Sequence, residues 1–369
     1  MKNKNSVFYS PQISNVGNTP LGDGGINTAI CSFGMSGWVF HAPFISTHPG
    51  FTFYGVWERT KNLAQEKYPS VKTFRTLEEM LADENVELVV VNTPNITHYE
   101  YAKKALLAGK HVVCEKPFTV EVSEAEELIA IAKEKNVKLS VFQNRRYDSD
   151  YKTIKSVLDQ KLLGNIVEAE FHFDRYKQEV SPKSHKEIAM KGTGALYDLG
   201  SHLIDQALQL FGKPTAVFAD IAIMRPVSQV DDYFEVLLYY PSTRVRIKGS
   251  YQVREALPGY IIHGSKGSFI KPKTDMQEAQ LQAHMLPTDE AYGIEPESEN
   301  GLLHTEVDGK IIHEKIPSQK GNYTGYYEGI YQAIRNNAPL PVTAEQGTDV
   351  IRIIEAAFKS NNEKRVIQL

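Results

Sequence analysis

The chain has 369 residues, enough for two domains, with an ordinary soluble balance of 41% apolar and 23% charged residues. A net charge of −4 supplies no field that would draw it to nucleic acid or anionic lipid, and no basic, aromatic-interleaved stripe is present. No apolar run approaches the roughly 18 residues a membrane helix needs, so neither nucleic acid nor membrane is expected as a partner.

Residues 1–25 are polar and rich in Asn, Ser, Gly and Pro; Lys2 and Lys4 are followed by no apolar stretch of the kind a secretory signal carries. The segment reads as a tail, or as an arm that orders against a cofactor cleft or a neighbouring subunit. The two cysteines, Cys31 and Cys114, fall inside apolar strand patterns. They read as buried reduced thiols, which points to a cytoplasmic protein.

Over residues 26–147 strand and helix signals alternate. Strands are expected at Asn27–Phe33, Phe51–Trp57, near Val71–Phe74, Leu88–Val91, His111–Cys114 and Leu139–Gln143, all near-continuous apolar runs of the kind buried on both faces. Thr76 with Glu79, and Ser123 with Glu126, have the spacing of a helix capping box, and Gly109 reads as the stop of a helix over His98–Ala108. The alternation predicts a doubly wound parallel sheet.

Chemistry-bearing residues fall at the ends of those strands. The first turn, Ser32-Phe33-Gly34-Met35-Ser36-Gly37, matches the dinucleotide fingerprint G-x-G-x-x-G with Ser in the first position. Phe33 to Gly37 are expected to bring backbone and a helix N-terminus to a pyrophosphate. The second strand ends in Glu58-Arg59. An acidic residue there takes the ribose hydroxyls and disfavours a 2′-phosphate, whereas Arg59, with Lys61 nearby, suits a phosphate. NAD and NADP both stay open, with a lean to NAD from Glu58. Thr93, Pro94 and Asn95 follow the strand at the sheet's switch point and are expected beside the cofactor. Thr97 reads as an N-cap, and His98 as a cofactor contact or a surface histidine. The fifth strand runs out at Glu115-Lys116-Pro117, where the proline forces a turn and the lysine is released into the crevice that binds ligands.

Residues 148–369 differ in character. A helix over about Ser149–Gln160 precedes longer alternating strands at Val167–Arg175, Thr215–Ile223, Tyr233–Tyr240, Thr243–Tyr251 and Gly259–His263, with hairpin turns at Pro241-Ser242 and Gly264–Gly267. This predicts an α+β domain around an open, mostly antiparallel sheet. Asp275–Asn300 carries seven acidic residues and no Lys or Arg, and reads as a solvated insertion. Tyr323, Tyr327 and Tyr331 recur at helical spacing and read as core or subunit interface. Within Gly194-Ala-Leu-Tyr-Asp-Leu-Gly-Ser-His202, Asp198 and His202 stand four apart and share a face if a helix runs through them. A carboxylate beside an imidazole favours the imidazolium and fixes its orientation. No H-E-x-x-H, C-x-x-C, G-x-S-x-G or Walker A pattern occurs, so no metal is expected.

S-x-G-x-x-G, Asn92-Thr-Pro, Glu115-Lys-Pro and Asp198-x-Gly-x-His202 occur in this order, and over about residues 27–369 the chain resembles the Gfo/Idh/MocA (glucose–fructose oxidoreductase / inositol dehydrogenase) family. Asn144-Arg-Arg146, Tyr197–His202 and Pro341-Val-Thr-Ala-Glu345 look most like its scyllo-inositol dehydrogenase branch. The resemblance implies a Rossmann domain, a nicotinamide cofactor, and a homodimer or homotetramer built through the second sheet. It implies Lys116, Asp198 and His202 as the catalytic, substrate-binding group, with Glu115 beside the cofactor and Arg146, Tyr176 and Lys177 as further contacts to cofactor or substrate. Ser32 departs from the family's usual glycine and crowds the tight turn. The implied reaction is hydride transfer between a nicotinamide and a secondary alcohol of a polyol or sugar. His202 takes the hydroxyl proton, Asp198 charges and orients it, and Lys116 donates to the oxygen; Lys116 as the base remains open. Two other readings share the fold: a ligand-sensing regulator without turnover, and a glycoside-cleaving enzyme that works by transient oxidation.

Overall fold

A computed structural model describes residues 25–180 and 187–369; the expected N-terminal tail lies outside the described residues but for Gly25. The first sheet contains β1 (Ile26–Ile30), β2 (Phe51–Trp57), β3 (Lys72–Phe74), β4 (Leu88–Val91), β5 (His111–Glu115) and β6 (Leu139–Phe142), in the order β3-β2-β1-β4-β5-β6. Every neighbouring pair is parallel. β4 is Leu-Val-Val-Val with all four residues buried, as a strand covered on both faces requires. The order reverses between β1 and β4, so their C-terminal ends diverge and open a crevice.

The second sheet contains β7 (Ile166–His172), β8 (Ala216–Ala222), β9 (Tyr233–Tyr239), β10 (Arg244–Ser250), β11 (Tyr260–Gly264), β12 (Gly267–Lys271), β13 (Gly301–Val307), β14 (Lys310–Ile316) and β15 (Ile367–Gln368). Their order is β14-β13-β12-β11-β7-β10-β9-β8-β15. Only β7 with β10 pairs in parallel; the rest are antiparallel. The sheet is therefore open and mostly antiparallel, in an α/β protein, as the alternating pattern predicts. β12 to β15 were not anticipated: β14 is mostly exposed and carries adjacent charges at Glu314 and Lys315, a weak strand signal.

The helices are α1 (Ala42–Thr47), α2 (Leu63–Lys67), α3 (Leu77–Ala82), α4 (His98–Leu107), α5 (Val122–Glu134), α6 (Ser149–Asp159), α7 (Ser201–Phe211), α8 (Gln277–Gln282), α9 (Thr324–Arg335) and α10 (Ala344–Glu363). The Thr76–Glu79 capping box forms as expected. The one at α5 starts earlier, with Glu121 at the cap and Glu124 reaching back, so Ser123 lies inside the first turn. Thr97 caps nothing: a 3₁₀ turn over Asn95–Thr97 leads directly into α4, and its hydroxyl donates back to Pro94 O.

The acidic stretch is not a solvated loop throughout. Glu295 is buried against Lys271 Nζ at 2.6 Å, and Asp275 accepts the Ser149 amide at 2.8 Å. The tyrosines of α9 form core. Tyr327 stacks on Phe44 with ring centroids 5.7 Å apart, and the Tyr326 hydroxyl lies 2.8 Å from Ser140 Oγ of β6. α9 thus holds the first sheet against the chain's C-terminal portion.

Candidate active site

The exit of β1 shows why its glycines are placed as they are. A Cβ on Gly37 would stand 2.1 Å from the Ser32 carbonyl oxygen, so only glycine lets the following turn pack on the strand. A Cβ on Gly34 would meet only Ser32 Oγ, at 3.4 Å, and Gly34 is exposed to the crevice. Ser32 repairs its own departure from the fingerprint, because its hydroxyl accepts the Gly34 amide at 3.2 Å and closes the turn. The open backbone at Gly34-Met35-Ser36 fits a phosphate-bearing dinucleotide, and these three residues line a cleft of about 700 Å³, within the usual range for small-molecule sites.

Beyond Gly37 the chain makes a π-helical turn, Gly37–His41, before α1. Such turns recur at functional sites. This one delivers His41, fully buried, to the Glu115 carboxylate at 3.0 Å and to the Tyr327 hydroxyl at 2.6 Å. Glu115 also accepts the Ser36 hydroxyl at 2.6 Å. Burial opposes its ionisation, but the hydrogen bonds of His41 and Ser36 and the charge of Lys116 outweigh it and hold the carboxyl at about 2. An ionised Glu115 therefore ties the phosphate turn to the end of β5. Sequence reasoning missed His41, which stands in no motif.

Lys116 crosses the cleft. Its Nζ donates to the Asp198 carbonyl oxygen at 2.7 Å and to Asp198 Oδ1 at 3.3 Å. Asp198 sits in a second π-helical turn, Leu196–Gly200, immediately before α7. His202, in the first turn of α7, is buried, and its Nδ1 has no hydrogen-bond partner among the described residues. Burial, and then the charges of Lys116, Arg145, Lys273 and Arg175, push its pKa well below the usual imidazole value. This corrects the expected Asp198–His202 couple: the carboxylate meets the Lys116 ammonium, and the surroundings of the imidazole favour its neutral form over the imidazolium.

Thr93, Pro94, Asn95, His98 and Glu115 line the cleft with Lys116, Asp198 and His202. His98 is no surface histidine. It is buried, with one ring nitrogen 2.9 Å from Pro117 O and the other 2.9 Å from Thr93 O, bracing two strand exits together. Asn95 donates to Gly192 O across the cleft.

Other expected contacts lie elsewhere. Phe33 is packed in the core against Phe53 and Tyr68. Gly37 lies buried beneath the turn. Glu58 is not part of the cleft lining, and its two carboxylate oxygens accept the Leu63 and Ala64 amides at 3.1 and 3.0 Å at the start of α2. Arg59 is exposed and outside the cleft lining. Arg146 is a structural clamp, bound to both oxygens of Asp205 at 2.8 and 2.7 Å and to Gln346 Oε1 at 2.9 Å. Its neighbour Arg145 lines the cleft instead, which the third of a turn between adjacent residues of the 3₁₀ segment Asn144–Tyr147 decides. Tyr176 turns outward, its hydroxyl accepting from Arg254 at 2.6 Å, whereas Arg175 and Lys177 on either side of it line the cleft. The alternation of extended chain could have given that facing, had Lys177 been taken as the register point. Among the described residues no group of three or more His, Cys, Asp or Glu side chains could hold a metal ion, and no helix is long and apolar enough to cross a membrane.

Comparison with known proteins agrees with this architecture. Residues 26–143 match the family model described as an oxidoreductase NAD-binding Rossmann fold, and residues 155–369 match that family's C-terminal alpha/beta domain. The scyllo-inositol 2-dehydrogenase (NADP(+)) IolW of Bacillus subtilis is 40% identical over 344 residues, covering 93% of this chain and 96% of that protein. The uncharacterized oxidoreductase C115.03 of Schizosaccharomyces pombe is 40% identical over 365 residues, covering 93% and 99%. A solved structure assigned as an oxidoreductase from Bacteroides fragilis superposes with a TM-score of 0.86 at 48% identity, covering 94% of this chain and all of that one. Matched in both of its halves, the chain belongs to the Gfo/Idh/MocA family of NAD(P)-binding oxidoreductases.

Proposed function

We propose that this oxidoreductase oxidises a secondary alcohol of a polyol or sugar, inositol-like in shape, and runs the reverse reduction. One observation carries the reading: His202, Lys116 and the open Gly34-Met35-Ser36 turn line one cleft, where burial and neighbouring cations push the imidazole's pKa well below its usual value. A nicotinamide bound along that turn supplies the hydride acceptor. The protein's own part is proton and charge management. His202, neutral and buried, accepts the hydroxyl proton. Lys116 donates a hydrogen bond to the same oxygen and stabilises alkoxide character as it develops. Asp198 is a positioning residue that holds the lysine. The name of the B. subtilis relative supports a polyol substrate. We take residues 26–147 as the cofactor-binding part and 148–369 as the substrate-binding part, with self-association through the second sheet, whose Val167, Phe218 and Ile311 are exposed.

For the cofactor we favour NADP, which reverses the lean drawn from Glu58. Its carboxylate is committed to α2, while Arg59 and Lys61 are exposed on the loop after β2. Arg75 braces that loop through Glu58 O and Lys61 O at 2.9 and 2.8 Å. The test is a panel of inositols and aldoses assayed with both cofactors by absorbance of the reduced nicotinamide. Reduction with at least one polyol, faster with NADP, supports the reading. No reduction with any polyol overturns it, and an Arg59→Ala variant with unchanged KM for NADP removes Arg59 from the cofactor site.

A further inference from the structure

We propose that the cleft is built for a substrate bearing an anionic group, a carboxylate or a phosphate, bound by Arg175 with support from Lys177 and Arg145. The inference rests on the cleft being the substrate site and names the class of substrate.

The charges lining the cleft are not all paired. Its five carboxylates each have partners: Glu115 in Ser36 and His41 at 2.6 and 3.0 Å, Asp198 in Lys116, Glu278 in Arg145 at 2.9 Å, Glu187 in Arg225 at 3.5 Å, and Asp231 in the Leu196 amide at 2.8 Å. Arg175 and Lys177 line the same cleft, and their side-chain nitrogens make no hydrogen bond or ion pair among the described residues. Arg175 and Lys177 are thus the two lining cations with no carboxylate partner among the described residues.

The chain that carries them is held in place. The Arg175 amide donates to Ser250 O at 2.8 Å, its carbonyl accepts from Val253 at 3.0 Å, and the Lys177 amide donates to Tyr251 O at 2.8 Å, so both side chains project from a fixed, strand-like segment. The Arg175 guanidinium lies 5.1 Å from the Phe173 ring, and Arg145 lies 5.3 Å from the same ring. One aromatic side chain thus orients two guanidinium groups beside His202, whose imidazole both of them help to keep neutral. A planar guanidinium with open donors matches carboxylate or phosphate oxygens two at a time. A neutral polyol would leave the donors of Arg175 to solvent.

The test measures binding to the NADPH-loaded enzyme by calorimetry, with D-glucose as the neutral probe and D-gluconate and D-glucose 6-phosphate as anionic ones, at low and high salt. At least tenfold tighter binding of one anionic probe is expected, weakening with salt. In Arg175→Met that advantage should fall to within about twofold with the melting temperature unchanged; Arg175→Lys should retain part of it. The two anionic arms separate carboxylate from phosphate. Equal affinity for glucose and both anions, or an anionic advantage that survives Arg175→Met, overturns the proposal. The outcome is separable from the oxidoreductase reading: turnover of neutral polyols without an anionic advantage sinks only this inference. Arg175-dependent anion binding without turnover of any probe sustains it and counts against hydride transfer.

Discussion

Lys116→Met and Asp198→Asn, singly and together, probe the one contact in which the structure departs most from the expected site. Lys116 Nζ touches Asp198 twice, at the backbone oxygen (2.7 Å) and at Oδ1 (3.3 Å). Unit charges 3.3 Å apart interact by roughly 5 kcal/mol at an effective dielectric of about 20. With the side chains 15% and 30% exposed, desolvation and solvent screening leave about 1–2 kcal/mol net. Asp198→Asn keeps the backbone anchor, so turnover should fall by only about tenfold, ~1.4 kcal/mol. Lys116→Met removes the donor to the reacting oxygen and should cost roughly 10²–10⁴, about 3–5 kcal/mol. If Asp198 acts through Lys116, the double variant is no slower than Lys116→Met. Steady-state kcat for the four proteins on one polyol decides it. Losses that multiply would show that Asp198 acts independently, as it would in a couple with His202, and would refute the positioning role.

The remaining expectations address other parts of the site. His202 has a depressed pKa in the fold, so below about pH 6.5 the unfolded chain takes up a proton that the folded one refuses. Stability should therefore drop as pH falls through that window, His202→Gln should flatten the slope in denaturant titrations, and the acid limb of kcat/KM for oxidation should lie below pH 6.5. Gly37→Ala forces a Cβ to 2.1 Å from a backbone oxygen and should destabilise by about 1–3 kcal/mol with weakened cofactor binding, whereas Gly34→Ala should be tolerated in thermal unfolding. Arg146→Met strands the buried Asp205 carboxylate and should cost roughly 3–5 kcal/mol; an altered KM for cofactor in the folded protein would return Arg146 to the site.

Much of the framework could be read before the structure, because buried parallel strands announce themselves as apolar runs and their ends carry the chemistry. Gly34, Thr93 and Lys116 follow from that rule. What escaped depends on local geometry that composition does not encode. Two π-helical turns aim His41 and Asp198, and nothing in their sequences distinguishes them from ordinary helix starts. Glu58 sits where a ribose ligand belongs, yet its carboxylate is nearer the unpaired amides of α2, which win it. Arg145 and Arg146, like Tyr176 and Lys177, are adjacent pairs in which facing decides which one lines the cleft, and a one-residue error exchanges them. Charge compensation between separate segments was equally hidden, as with Lys271 of β12 and Glu295 of the apparently solvated acidic stretch.

The central claim is that a carbinol C–H hydrogen passes directly to the cofactor under the control of Lys116 and His202. A polyol deuterated at its carbinol carbons, incubated with oxidised cofactor and enzyme, tests it by mass spectrometry of the recovered nicotinamide. The account predicts one deuterium on the cofactor for each turnover, with the rate of labelling at least a hundredfold lower in Lys116→Met. Label lost to water, or held on the polyol while the cofactor stays unlabelled, would contradict it.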